Sequence, residues 1–141
     1  MLMGLLLIVG SLIGCGGTKT TMSTKPNEPS GFYKVVQIGQ SILSENNPTL
    51  NFDLVQYRIS GNAGCNDYSG TLLITQDQAN TFSVDSLMTT KMYCSDDVMA
   101  VEYKFLKYLG QSLYWSHAGD TLSLFTQNRI EPIIAIKSQN Q

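Results

Sequence analysis

A chain of 141 residues has room for one domain and not two. Its formal net charge of −2, from 9 basic and 11 acidic side chains, comes without a basic cluster, which argues against nucleic acid as a partner and against electrostatic attachment to a membrane. One histidine and three cysteines leave little material for a metal centre or for nucleophilic catalysis.

The first element is an apolar run, Leu2 to Ile13, broken only by Gly and Ser and too short to cross a bilayer as a permanent helix. It ends in Leu12-Ile13-Gly14-Cys15, which resembles the lipobox of bacterial lipoproteins. The resemblance implies a signal peptide over 1–14, cleavage before Cys15, and diacylglycerol on the Cys15 sulfur. Acyl chains of the palmitate kind, contributing about 0.8 kcal/mol per buried methylene, would then anchor the protein to the membrane for good. No Lys or Arg precedes the apolar run, a departure from the usual signal pattern. Gly16 follows where many inner-membrane lipoproteins carry aspartate, so the expected location is the outer membrane, facing the periplasm. Residues 16–30 hold almost nothing apolar beyond Met22 and read as a flexible tether with a reach of roughly 20 Å. The folded domain is expected over 31–141.

Within that domain Phe32 to Ile38 has partial period-two alternation and reads as the first strand. Leu50, Phe52 and Leu54 form one apolar face of a second strand. Val55, Tyr57 and Ile59 continue it in the opposite parity, so a bulge or bend is expected at Leu54-Val55. The segment Gly61-Asn62-Ala63-Gly64-Cys65-Asn66-Asp67-Tyr68-Ser69-Gly70 then concentrates residues that turn cheaply. Gly70 to Thr75 and Thr81 to Leu87 are the third and fourth strands, joined by a turn at Asp77–Asn80. Ser95-Asp96-Asp97 offers an N-cap and two first-turn carboxylates, after which Val98, Val101, Phe105, Tyr108 and Leu109 recur at helical spacing up to Gly110. A helix over 96–109 follows. Ser112–Ser116, Thr121–Phe125 and Ile133–Ile136 complete the order ββββαβββ. That order implies an α+β, mainly β fold: a curved, barrel-like antiparallel sheet of about seven strands with one helix.

With Cys15 assigned to lipid, Cys65 and Cys94 remain as an even pair in a compartment where disulfides persist. A bridge between them would close a loop of about 30 residues, worth roughly 3 kcal/mol in the chain-entropy model. Free thiols or a two-cysteine metal site are the alternatives.

Four features, in order, resemble the META domain, or HslJ-like, family of bacterial envelope lipoproteins. They are Gly64-Cys65-Asn66 with Tyr68-Ser69-Gly70, the segment Thr90-Lys91-Met92-Tyr93-Cys94, the helix through Val98-Met99-Ala100-Val101-Glu102-Tyr103-Lys104-Phe105-Leu106, and the hairpin Gly119-Asp120-Thr121-Leu122-Ser123-Leu124. The resemblance covers about residues 31–137. Family members commonly begin with a tryptophan on the first strand, where this chain has Phe32-Tyr33. It implies a small β-rich fold, an envelope location and an association with stress responses. It brings no catalytic residues and no cofactor.

Candidate site residues each carry a plain alternative. His117, one residue before a turn, lacks the nucleophile and orienting group that a catalytic base needs. Asp96-Asp97 reads as compensation of the helix dipole. Asn62, Asn66, Asp67 and Tyr68 could face a partner, or could satisfy turn backbone groups. Lys91 and Glu102 are opposite charges near the helix start and are expected to pair. Tyr57, Tyr68, Tyr93 and Tyr114 read equally as core wedges or as binding surface. The leading function is a non-enzymatic interaction or stress-maintenance module with an envelope protein as partner and no known small-molecule substrate. A protease inhibitor presenting Ser44-Glu45-Asn46-Asn47-Pro48, or a small-ligand carrier, are the alternatives.

Overall fold

The computed structural model describes residues 28–75 and 78–139; the apolar leader, Cys15 and most of the expected tether lie outside the described residues. In chain order the elements are β1 (Gly31–Ile38), β2 (Ser41–Ile42), β3 (Thr49–Asp53), β4 (Arg58–Asn62), β5 (Asp67–Ile74), β6 (Phe82–Thr89), α1 (Asp96–Gly110), β7 (Ser112–Ala118), β8 (Thr121–Thr126) and β9 (Ile133–Lys137). All neighbours pair antiparallel, in the spatial order β6-β5-β4-β3-β1-β9-β8-β7, with β2 folded back on β1. The two outer strands of this order approach each other where Thr81 bridges Tyr114 and the Trp115 N–H donates to the Asn80 carbonyl at 3.0 Å. The sheet is therefore a curled half-barrel with one helix, the mainly β class that the alternation implies.

Period-two alternation fills the interior. Tyr33 and Val35 of β1, Leu50 and Phe52 of β3, Leu122 and Leu124 of β8, and Ile133 and Ala135 of β9 are buried, while their neighbours in sequence are not. Tyr33, Phe52, Phe82 and Trp115 follow one another across the barrel with centroids 6.1, 6.4 and 5.8 Å apart, the first two contacts edge-on as ring quadrupoles favour. Phe105 and Leu109 of α1 join this core, and Phe105 meets Tyr68 of β5 at 5.4 Å.

Two sequence expectations are corrected. The second strand is not one bent strand: β3 and β4 are separate, joined by the turn Leu54-Val55-Gln56-Tyr57, with Asp53 facing Arg58. The Asp53 Oδ1 accepts from the backbone N–H groups of Val55 and Gln56, both at 3.0 Å, and Tyr57 takes φ +50 to close the turn. The segment 61–70 is not a loop after a strand but a hairpin in its own right, with Gly61 and Asn62 ending β4 and Asp67 opening β5. Register shifts fall elsewhere, between Val35 and Gln37 of β1, Ser69 and Thr71 of β5, and Ser112 and Tyr114 of β7.

Antiparallel register gives the half-barrel two unlike ends. At one, Gly31 faces Phe52 and Thr121 faces Ile136, so the start of β1 lies beside the β3–β4 and β7–β8 turns. At the other lie the β4–β5 turn, the segment 90–95 and α1. The helix begins after Ser95, which has extended φ and ψ of −60° and 153°, and its first turn carries Asp96 and Asp97. The Ser95 hydroxyl, followed by the backbone N–H groups of Val98 and of Asp97 itself, holds the Asp97 carboxyl below its ordinary pKa. At the far end of α1 the Tyr108 hydroxyl donates to Glu131 Oε2, tying the helix to the segment before β9.

Candidate partner-binding surface

The β4–β5 turn requires close backbone approach. A Cβ on Gly61 would stand 2.3 Å from the Thr49 carbonyl oxygen, and Gly64 takes φ +120. Asn62 directs its side chain into this turn: its Oδ1 accepts from Gly64 N at 2.8 Å and its Nδ2 donates to Asp67 Oδ1 at 3.0 Å. Cys65 and Asn66 are thereby turned inward, toward α1 and the segment 90–94.

Asn66 is buried and its carboxamide makes four hydrogen bonds. Its Oδ1 accepts from Met92 N at 2.6 Å and from Thr90 Oγ1 at 2.7 Å, while its Nδ2 donates to Met92 O at 3.1 Å and to Glu102 Oε1 at 2.9 Å. Towards Met92 the side chain thus behaves as the peptide of a neighbouring strand would, giving one donor and one acceptor. Glu102, buried on α1, accepts with its other oxygen from Asn66 N at 2.7 Å and Cys65 N at 3.3 Å. Its charge is met by three N–H donors, which is what a buried carboxylate needs. The Cys65–Cys94 disulfide, with Cα atoms 6.0 Å apart, closes the assembly.

Met92 and Tyr93 lie between two fixed points, the Asn66 carboxamide and Cys94. Their backbone is held, and their side chains stand out: Met92 is 57% exposed and Tyr93 82%. The Tyr93 hydroxyl donates to Asp96 Oδ1 at 2.8 Å, which fixes the direction of the ring. Met88 on β6 and Tyr103, next to Glu102 on α1, are also exposed. This end of the barrel presents large apolar groups on a covalently braced frame.

Sequence reasoning placed the frame correctly and its surface wrongly. Asn66 and Tyr68 do not face a partner: both are buried, and the Tyr68 hydroxyl donates to the Thr49 carbonyl at 2.8 Å. Burial also pushes the Tyr68 phenol well above its ordinary pKa. Asn62 is half-buried and engaged within the turn, so of the four only Asp67 is an exposed residue. Lys91 and Glu102 do not pair. Glu102 is occupied by the Cys65 and Asn66 donors, and Lys91 is exposed. Burying an ammonium there would have cost its solvation, whereas peptide and amide N–H groups lose far less. Of the two readings open for Tyr93 the structure gives the exposed one, while Met92 escapes sequence reasoning because its exposure follows from the bonding of its neighbours, which no composition rule reports.

The other candidates disperse. His117 sits at the opposite end of the barrel from the disulfide, with Nε2 3.5 Å from the Tyr33 hydroxyl. Among the described residues no group of three or more His, Cys, Asp or Glu side chains could hold a metal ion. The 44–48 loop is laced to β1: Asn47 Nδ2 donates to Val35 O at 2.7 Å and Val35 N to Pro48 O at 2.8 Å. That leaves Ser44, Glu45 and Asn46 as its exposed residues. A cleft of ≈ 380 Å³ lies between the end of α1 and the segment 126–131, lined by Lys107, Tyr108, Gln111 and Glu131 among others. Its lining is too polar and too open to make an apolar carrier site.

Comparison with known proteins adds a family and a fold. The META domain family model matches residues 27–138. A search of curated protein sequences finds no match. Among solved structures, a protein from Burkholderia xenovorans determined by NMR is similar with a TM-score of 0.64 at 18% identity, over 79% of this chain and 83% of that one. A DUF4847-family protein from Bacteroides vulgatus is similar with a TM-score of 0.58 at 12% identity, over 79% of this chain and 95% of that one. At such identities the likeness is one of fold.

Proposed function

This chain belongs to the META domain family, and from that premise we propose that it is a membrane-anchored lipoprotein of the cell envelope whose domain works as a non-enzymatic interaction module, with a role in envelope maintenance under stress. The observation that supports this most is the pair Met92 and Tyr93, held outward by the Asn66 carboxamide and the disulfide. A frame of this kind spends its polar groups on internal hydrogen bonds and leaves apolar side chains to the solvent. Aromatic and Met side chains are favoured contacts in protein interfaces, and a pre-ordered backbone lowers the entropy lost on binding. The lipobox-like Cys15 supplies the anchor in this reading, and the oxidising compartment outside the cytoplasm suits the disulfide.

A photo-crosslinking residue placed at Tyr93 in the full chain, in intact cells, tests the reading. A discrete crosslinked band is expected from position 93, and a weaker one or none from the exposed position Asn128 near the opposite end of α1. Equal, diffuse labelling from both positions would remove the surface from consideration.

A further inference from the structure

The opposite end of the barrel carries a second exposed apolar group, and the domain's first strand begins beside it. In the β3–β4 turn Val55 is 73% exposed and Tyr57 50%. Neither is a residue that turn geometry asks for. Tyr57 occupies the left-handed region at φ +50, which Asn and Gly reach more cheaply, yet the position carries an aromatic side chain. Leu73 and Phe32 are exposed on the flanking strands. Leu72 N bonds the Tyr57 carbonyl at 2.8 Å, which places Leu73 next to the turn, and Phe32 follows Gly31, the residue opposite Phe52.

We propose that this turn seats the domain on a lipid bilayer, with Val55 and Tyr57 entering the interface, so that the disulfide end faces away from the membrane. The proposal rests on the reading of Cys15 as a lipid anchor. Three observations favour lipid as the occupant. Gly31 stands one residue pair from the turn, and the 15–30 segment, read from its composition as a tether, has an average reach of roughly 20 Å, so an anchor at Cys15 holds this end nearer the surface on average than the other. At such tethered concentrations a small apolar contact is enough to bias orientation. Part of the turn's backbone is also satisfied from within, by Asp53 for the N–H groups of Val55 and Gln56 and by Leu72 for the carbonyl of Tyr57. Each backbone group paired in this way lowers the cost of leaving water, and the remaining groups stay at a headgroup depth that is still polar. Finally, the side-chain types suit an interface, where Tyr rings favour headgroup depth and small aliphatic groups go deeper. Arg58 stands opposite Asp53 across the β3–β4 pair, so what the turn itself offers is apolar contact.

The test uses the full chain, purified in detergent from bacterial membranes and reconstituted into phosphatidylcholine vesicles that carry a spin-label quencher near the head of the acyl chains. Val55→Trp reports the turn, and Tyr93→Trp reports the far end. The native Trp115 is buried and contributes the same background to both. Circular dichroism confirms that each variant is folded, as expected at exposed positions. The expected result is quenching of V55W at least about twofold stronger than that of Y93W. Co-flotation of both variants with the vesicles, together with equal quenching, would overturn the docking while leaving the anchor intact. Failure of both to float would overturn the anchor and the docking with it.

Discussion

Glu102→Gln is nearly isosteric and removes a buried charge, so simple solvation arguments expect it to be neutral or stabilising. The geometry around Asn66 predicts the opposite sign. Asn66 cannot rotate its amide, because Oδ1 is held by Met92 N and Thr90 Oγ1 and Nδ2 by Met92 O. Its Nδ2 therefore continues to point at the position of Glu102 Oε1. The other oxygen is held in the same way by Cys65 N and Asn66 N. A glutamine amide must turn its NH₂ towards one of these two sites, and either choice sets a donor against a donor. One hydrogen bond to a charged acceptor is lost, at about 1.5–3 kcal/mol, and those that remain weaken because the acceptor is neutral. Relief from burying a carboxylate returns part of this. The net loss is about 2–3 kcal/mol, a large share of the roughly 5–15 kcal/mol that a domain of this size has. Urea denaturation at neutral pH, without reductant, reads it as a lower midpoint at unchanged slope. A shift smaller than about 0.5 kcal/mol, or any stabilisation, would refute the reasoning.

Two further outcomes follow from the same end of the molecule. Replacing both Cys65 and Cys94 by Ala removes a bridge across 29 positions and is expected to cost about 3.5 kcal/mol, measured by thermal or urea unfolding; an equally stable double variant would mean that Asn66 and Glu102 brace the segment unaided. Tyr68 is raised by burial, so the native state keeps a phenol proton that the unfolded chain releases. Its contribution is fully present below the unfolded value of about 10 and falls as pH rises from there toward the folded pKa, by up to about 1.4 kcal/mol per pH unit. Unfolding measured from pH 9 to 11 should show a shallower decline in Tyr68→Phe than in the native chain; identical slopes would count against it.

The helix and most strands were legible because each is signalled by residues close in sequence, apolar spacing for α1 and alternation for β1 and β8; the disulfide, across 29 positions, was legible from the cysteine count instead. The β3–β4 division was not, and the reason is specific. A parity switch at Leu54-Val55 is produced equally by a bulge and by a turn, and the turn residues Leu54-Val55-Gln56-Tyr57 contain no Gly, Asn or Pro to decide between them. The turn is made instead by the Asp53 side chain acting on the two following N–H groups.

Opposite charge and nearness to the helix start made Lys91 and Glu102 look like partners, but pairing is decided by what is buried. Once the Gly61–Gly64 turn forces the Cys65 and Asn66 N–H groups inward, they need an acceptor, and α1 offers only one at that level. The Lys91 ammonium, free to keep its water, loses nothing by staying outside. Two consequences of that choice reach the surface. With Asn66 satisfied by Met92, Thr90 and Glu102, and Glu102 by Cys65 and Asn66, the two buried polar residues of the signature are used up internally. What they hold in place, Met92 and Tyr93, stays exposed at that end, beside Met88, Tyr103, Asp67 and Lys91. A partner that reads this end therefore reads the signature only through the backbone it fixes, so Glu102→Gln should weaken crosslinking from position 93 in proportion to the order it removes there, even though Glu102 itself is buried.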